Sequence, residues 1–451
     1  MTDTIVALAT PPGSSGLAVV RLSGSNAFKI GDKCFFGKIK LKNAASHTIH
    51  FGKFYDGEIL IDTVTALVFC EPHSSTGENV VEFCCHGGVL LYNQIIETLI
   101  KNGARQAQPG EFTKRAFLNG KLDLTQVEAV ADLISATSLV GSHTSARQLL
   151  GGFTEMLSRL RQNLLDSASL LELELDFADE DIDFINKDAL KEKILQTKSR
   201  CDELAAAFKR SEILRSGFFV GIAGFPNSGK STLFNALLQR ERAIVSEKPG
   251  TTRDYLEERI ILDGTKIHII DTAGIRSTQD EIEIEGIRLA DSALRQSNLI
   301  IVLNDASVSL NHSDNLYRML AEQYPDTEML LVHNKIDLID QNSLENFEQN
   351  ASCISAKKKL GIDKLKAKIS EIVSPNIERI NDVLINQRHA QLLRQASDDL
   401  QSALNAIESG MDNEIIAIDI RSAIRHFGEI TGEVSSEDIL NNIFSRFCVG
   451  K

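Results

Sequence analysis

The spacing of apolar positions changes texture along the chain. In residues 1–120, short alternating runs such as GLAVVRL and TVTALVFC are separated by turns containing Gly and Pro, which predicts a compact α+β domain. From Lys121 to about Arg215 there is no proline, and glycine occurs only at Gly141, Gly151 and Gly152. Apolar residues there fall three and four apart, as in TQVEAVADLISATS and ALKEKILQTKSRCDELAAAFKR, so this segment reads as helical. Residues 216–375 alternate strand-like runs (FFVGIAG, KIHIIDTAG, NLIIVLND, MLLVHNK) with helical stretches, a βα repeat around a mainly parallel sheet. After Pro375 the helical texture returns through HAQLLRQASDDLQSALNAIES.

The expected architecture is therefore multidomain α/β. Its parts are an α+β domain at 1–120, helical segments at 121–215 and 376–451, and a βα domain at 216–375. Either the βα domain is inserted into one helical domain whose halves pack together, or four units follow one another. Within the first helical segment, LELELDFADEDIDF (171–184) carries seven acids and alternates like a strand over its first half. A calcium loop starting at Asp179 would need a glycine where Phe184 stands and a glutamate where Leu190 stands, so this run reads as a solvated acidic face.

Composition narrows the function classes. The net charge is −14, a field that repels nucleic acid, so any RNA contact must be local or directed at shape or a single base. Seven cysteines lie without a C-x-x-C pair, which suits free thiols in a reducing compartment. MTDTIVALATPPG lacks the basic region of a signal peptide, and no apolar run approaches the roughly 20 residues of a membrane span. A cytoplasmic location and no membrane association are expected. GSSG (13–16) leads into an apolar strand rather than a basic helix, so it is not an RNA-clamping loop. His86 beside Cys84 and Cys85 lacks zinc-ligand spacing and reads as a strand end.

The chemistry concentrates in the βα domain. GFPNSGKS (224–231) follows an apolar strand and opens a helix, the context of a phosphate-binding loop. Gly224 and Gly229 let backbone N–H groups turn toward phosphate oxygens, with Asn227, Ser228 and Thr232 completing the cradle. Lys230 sets a positive charge at the β and γ phosphates, and the Ser231 hydroxyl suits Mg²⁺. NKID (334–337) supplies Asp337, which accepts from the ring N–H and the exocyclic amine of guanine. Adenine would leave that carboxylate facing an acceptor, at about 1–3 kcal/mol per buried group. Asn334 ties this loop to the phosphate loop, and the Lys335 stem covers the base. Ser355 and Ala356, in SAK, offer N–H groups to the guanine carbonyl. Asp271, Thr272 and Gly274, in DTAG, supply the Mg²⁺-side carboxylate and the γ-phosphate N–H; Thr251 and Thr252, in GTTRD, supply a switch threonine. Together these elements specify GTP.

DTAG is followed by Ile275, where small signalling GTPases carry a water-orienting glutamine. Asn227 is either a turn residue or a ligand for a monovalent cation held against the phosphates, with carbonyls from 246–251. Glu281, Glu283 and Glu285 are alternatives for orienting the water, against the plainer reading of a solvated helix face.

GFPNSGKSTL, GTTRD, DTAGIR and NKID, with TPPG, AVVRLSG, TGENVVEFCCHGG, PGEFTKRAFLNGKLDLTQVEAVADLI, DFADEDIDF and the terminal FCVGK, resemble the MnmE (TrmE) family of tRNA modification GTPases over the whole chain. The resemblance implies an N-terminal folate-binding domain that makes a homodimer, a helical domain, and a P-loop G domain inserted into it. It implies K⁺-stimulated association of G domains across GTP. The K⁺ ligands fall on Asn227 and on Ser246 through Thr251, with the Lys248 carbonyl among them although relatives are often apolar there. The Mg²⁺ hydroxyls fall on Ser231 and Thr252, and the water-positioning carboxylate on Glu283. It places 5-formyltetrahydrofolate or methylenetetrahydrofolate at Arg21, Glu82, Lys121 and Lys451, and makes Cys448 a candidate for the modification chemistry. It implies tRNA as substrate, at carbon five of the wobble uridine, with ammonium or glycine as amine donor. The implied partner is the FAD-dependent MnmG (GidA), in a heterotetramer or larger assembly. A ribosome-assembly GTPase switch and a folate one-carbon enzyme with a regulatory G domain are the competing readings.

Overall fold

A computed structural model describes residues 3–136, 138–176, 186–238, 256–271, 291–308, 310–339, 352–378, 383–434, 440, 443–445, 447 and 450. The chain packs as two compact units. One comprises 1–131, 146–202 and 391–451; the other comprises 132–145 and 203–390.

The first unit opens with β1 (Ile5–Leu8), β2 (Ser15–Ser23), α1 (Ala27–Cys34), β3 (Phe35–Gly37), β4 (Thr48–Asp56), β5 (Ile59–Phe69) and β6 (Val80–Gly87). There follow α2 (Val89–Lys101), β7 (Arg105–Gln106), α3 (Glu111–Leu118) and α4 (Leu124–Ser135), whose last turn passes into the second unit. The seven strands form one sheet in the order β3-β4-β5-β6-β2-β1-β7. Strand alternation decides its two faces. Ala18, Val20, Leu22, Val81, Phe83 and Cys85 point into a core with Ile30, Cys34, Ile95 and Leu99 of α1 and α2. The intervening residues, Arg21 on β2 and Glu82 on β6, therefore belong to the other face. There Ile5 and Ala7 are covered by Ala107 and by Phe112 of α3.

The helical part of this unit contains α6 (Gly152–Asp176) and α13 (Asn413–Thr431), which pack together, and most of α7 (Lys187–Ala206) and α12 (Gln387–Glu408). Phe153, Leu157, Leu164, Ala168 and Leu171 recur at helical spacing along the buried side of α6. The strand-like alternation expected from Leu171 is overturned: the helix continues to Asp176, because adding a residue to an existing helix is far easier than nucleating a strand beside it. Residues 177–185 lie outside the described part. At the C-terminal end, Leu440, Phe444 and Phe447 are buried against Leu124 and Val127, and Phe117 and Phe444 lie with ring centroids 6.4 Å apart. A Cβ on Gly450 would meet the Leu8 carbonyl at 2.0 Å, so this end of the chain passes directly over β1.

The second unit is built on a six-stranded sheet, β13-β12-β11-β8-β10-β9. Its strands are β8 (Phe218–Gly224), β9 (Leu256–Leu262), β10 (Thr265–Asp271), β11 (Leu299–Asp305), β12 (Glu328–Asn334) and β13 (Ser352–Cys353). All neighbours run parallel except β9, which is antiparallel to β10. The central strands read as continuous apolar runs because helices cover both faces. Val220, Ile222, Ile269, Ile301 and Leu303 pack against α9 (Lys230–Leu238) and α11 (Ile362–Glu378). Ile300 and Val302 pack against Leu320 of α10 (Leu310–Gln323) on the opposite face. α5 (Leu139–Leu149) begins in this unit, and α8 (Phe208–Ser216) leads into β8. Where α8 ends, Arg215 grips both Asp132 oxygens at 2.8 and 2.7 Å and donates to the Ile385 carbonyl at 2.8 Å, pinning the entrance and exit of 217–383.

Candidate functional site

Ligands of open parallel sheets lie beyond the carboxyl ends of the strands. At that edge the 224–230 loop leaves β8. Gly224 has no room for a side chain, since a Cβ would stand 2.5 Å from the Leu303 carbonyl. Asn227 and Gly229 take left-handed backbone angles, φ 64° and 97°, which turn the loop back on itself. A Cβ on Gly229 would lie 2.3 Å from Asn334 Nδ2. Lys230 Nζ donates to the carbonyls of Gly224 and Phe225 at 2.8 and 2.9 Å, so its charge is held inside the loop. Ser228 is buried beneath the loop, whereas Asn227 is exposed within it and Ser231 and Thr232 are exposed at the start of α9. Asp271 ends β10 and is buried, opposite Ile222 of the adjoining β8.

The second half of the site lies beyond β12. Asn334 is buried and uses both ends of its amide: Nδ2 donates to the Ser228 carbonyl at 2.9 Å, and Oδ1 accepts from the Ala356 N–H at 2.9 Å. It thus ties its own loop to the phosphate loop, the link that the sequence predicts, and reaches the 355–358 loop as well. Ser355 Oγ donates to Asp337 Oδ1 at 2.6 Å, and Lys358 lies 3.7 Å from the other oxygen. The Ser355 hydroxyl, helped by the Lys358 charge, holds the Asp337 carboxyl below its ordinary range. An ionised carboxylate here accepts two N–H donors, the pattern of guanine. Lys335 has φ 64° and donates to Asp305 Oδ2 at 2.6 Å. Sequence reasoning missed Asp305; its only signal is an acid at the last position of an apolar strand. Thr272, Gly274, Ile275, Glu281, Glu283, Glu285, Ser246, Lys248, Thr251 and Thr252 lie outside the described residues.

A second polar cluster occupies the non-core face of the first unit's sheet. Arg21 and Glu82 are partners in the β2–β6 register, and Arg21 Nε donates to Glu82 Oε1 at 2.7 Å. The guanidinium stands 5.6 Å from the centroid of the Phe112 ring, and Nη1 reaches the Gly450 carbonyl at 3.5 Å. Two residues along the same face, Ser23 hydrogen-bonds Thr76 and Glu78, both at 2.8 Å. Arg115, almost wholly buried, holds Glu78 at 3.1 Å, Asp3 at 2.9 Å and Glu111 at 3.1 Å. Lys121 is exposed; a Cβ on Gly77 would lie 3.5 Å from its Cγ, so its stem borders the same 74–78 loop. Ser23, Thr76, Glu78, Phe112 and Arg115 were not foreseen, because their roles depend on strand register and on where α3 lands. Cys448 and Lys451 lie outside the described residues. Among the described residues, no cluster of three or more metal-ligating side chains occurs, and no helix is long and apolar enough to cross a membrane.

Comparison with known proteins finds two family models along the chain. Residues 4–121 match the family described as GTP-binding protein TrmE N-terminus, and residues 124–448 match that of the MnmE helical domain. The chain is 43% identical over 465 residues to the tRNA modification GTPase MnmE of Chlorobium phaeobacteroides, spanning 100% of this chain and 97% of that one. It is 42% identical over 458 residues to the Salinibacter ruber protein of the same name, covering 100% and 99% of the two chains. With the Christiangramia forsetii protein it shares 40% identity over 472 residues, covering 100% of each. Two family models that between them span nearly the whole chain, and relatives that match it from end to end, place it in the MnmE family of tRNA modification GTPases.

Proposed function

We propose that this chain binds and hydrolyses GTP, and that hydrolysis serves the folate-dependent modification of wobble uridine at carbon five in certain tRNAs. The observation that carries the nucleotide half is the Asn334 bridge between the Ser228 carbonyl and the Ala356 N–H, with Asp337 beside it. Lys230 meets the β and γ phosphates. Ser231, at the start of α9, and Asp271, at the end of β10, are hard oxygen donors and suit Mg²⁺, which when bound neutralises phosphate charge. Asn227, exposed and with a left-handed backbone, suits a K⁺ ligand. Ser246, Lys248, Thr251 and Thr252 are proposed to complete the cation set. Glu283 is proposed to orient the water that Ile275 cannot.

For the second half, the Arg21–Glu82 pair suits a reduced folate. A carboxylate accepts the pterin N–H groups, and Arg21 and Lys121 attract the anionic tail. Cys448 and Lys451 are proposed to act from the C-terminal segment. The partners in this reading are a second copy of the chain, an FAD-dependent protein of the MnmG type, and tRNA. The proposed domain limits are 1–120, 121–215, 216–375 and 376–451, and the proposed location is the cytoplasm.

GTP turnover measured in KCl and in NaCl, with particle mass recorded beside a transition-state mimic, tests the cation and dimer claims. Equal rates in both salts would remove them. Nucleoside analysis of tRNA from a deletion strain tests the modification claim, which unaltered wobble uridines would remove. A Glu283→Ala variant is expected to bind GTP and turn it over slowly.

A further inference from the structure

Strands β11 and β12 end side by side, with Asp305 opposite Asn334 as their last matched pair. The Ala306 N–H then donates to the Asn334 carbonyl at 2.8 Å, closing the two ends together. Lys335 follows in the left-handed region, which L side chains rarely adopt, and so leaves the ladder over the carboxyl edge of the sheet. Its ammonium is not left in solvent. It is held by Asp305 Oδ2 at 2.6 Å, with side-chain exposures of 31% and 17%. The other oxygen, Oδ1, accepts from the Ser307 N–H at 3.0 Å and the Ser307 hydroxyl at 2.6 Å, so the carboxylate cannot swing. Burial pushes the Asp305 carboxyl up, but Lys335 and Ser307 outweigh it and hold it below its ordinary range.

We propose that Asp305 is a positioning residue of the nucleotide site: by holding the ammonium of Lys335 it lays the lysine stem along the guanine slot and slows nucleotide escape. A lysine stem is apolar enough to cover one face of a base while its charged end stays polar. Left untethered, the chain would have to be ordered each time a nucleotide bound, a cost of roughly two- to tenfold in affinity for one long side chain. The Asp305 carboxylate does that ordering beforehand. This inference rests on GTP binding at the site but on neither the K⁺ reading nor the folate reading.

The test uses the full chain and a fluorescent N-methylanthraniloyl GDP. Asp305→Asn keeps the shape and removes the charge; it is expected to release the nucleotide about three- to tenfold faster. The Michaelis constant for GTP should rise by a similar factor, with the loss falling there rather than on kcat. Lys335→Met should give the same phenotype, and the double variant should release no faster than Lys335→Met alone. Asp305→Glu, which keeps the charge, should recover part of the retention. Unchanged release in Asp305→Asn, or factors that multiply in the double variant, would overturn the proposal, since a purely structural role gives independent losses. If Asp305→Asn fails to fold, Ser307→Ala takes its place: it frees one anchor of the carboxylate, and release should quicken by a smaller factor. Release as slow as the parent's would then count against the proposal.

Discussion

Asn334 and Ser228 stand 106 residues apart in sequence, yet a 2.9 Å hydrogen bond from the Asn334 amide to the Ser228 carbonyl makes one site of two loops. Because Asn334 also accepts from Ala356 N–H, its replacement by alanine strands two buried backbone groups. Each costs about 1–3 kcal/mol, so Asn334→Ala is expected to weaken GDP binding by at least tenfold. Equilibrium titration with a fluorescent GDP measures it, and an unchanged affinity would separate the two loops.

The depressed pKa of Asp337 gives a signed pH dependence. Its carboxyl is held below 3.8, first by the Ser355 hydroxyl, so it stays ionised through neutral and mildly acid solution. The stability it adds is present above the unfolded value and is lost as pH falls through the lower folded value. GDP affinity is therefore expected to stay flat from about pH 8 to pH 5 as far as this group is concerned. Ser355→Ala removes the hydroxyl and should move the acid limb to higher pH; coincident limbs in both proteins would refute the assignment.

Arg21 and Glu82 pair at 2.7 Å, and in the proposed folate reading a ligand takes over that relationship. Glu82→Gln keeps the size and loses the charge. Hydrogen bonds to a charged group contribute about 1.5–3 kcal/mol, so reduced-folate affinity should fall roughly ten- to hundredfold. Calorimetric titration with 5-formyltetrahydrofolate reads the loss, and GTP turnover serves as the control, since Glu82 lies outside the nucleotide site. Undiminished folate binding would take Glu82 out of the site.

Arg115 is the hub of the acid cluster formed by Asp3, Glu78 and Glu111. Arg115→Met fills much of the space and leaves Glu78 and Glu111 without their shared buried cation. Breaking such a pair from one side costs about 3–5 kcal/mol. Urea unfolding of the first unit should shift accordingly; a midpoint matching the parent's would mean that the other partners suffice. Burial pushes the Glu111 carboxyl up, but Arg105, the Gln108 N–H and Arg115 outweigh it. Its contribution is thus lost on acidification, not on raising the pH.

What could be read from the sequence was local. Asn334 and Asp337 stand in one tetrapeptide after an apolar strand, and Lys230 and Ser231 stand in one loop before a helix, so spacing alone assigned their chemistry. Arg21 and Glu82 are 61 residues apart and meet only because β2 and β6 pair in one register. A slip of one residue between the two strands would set them on opposite faces, and nothing in composition fixes that choice. Resemblance to a family, not periodicity, pointed to them. Asp305 was illegible for a different reason. A lone acid at a strand end is ordinary until the neighbouring strand delivers Lys335 beside it. β9, with charged residues inside LEERIIL, escaped notice as an antiparallel edge on a parallel sheet.

The passage of Gly450 over β1 has a consequence for synthesis. Ile5–Leu8 leaves the ribosome long before the Gly450 backbone that lies over it. At roughly 5–20 residues per second, some tens of seconds separate them. During that interval the continuous stretch 203–390 is free to form its own core, while the contact between Gly450 and β1 in the first unit is still unmade.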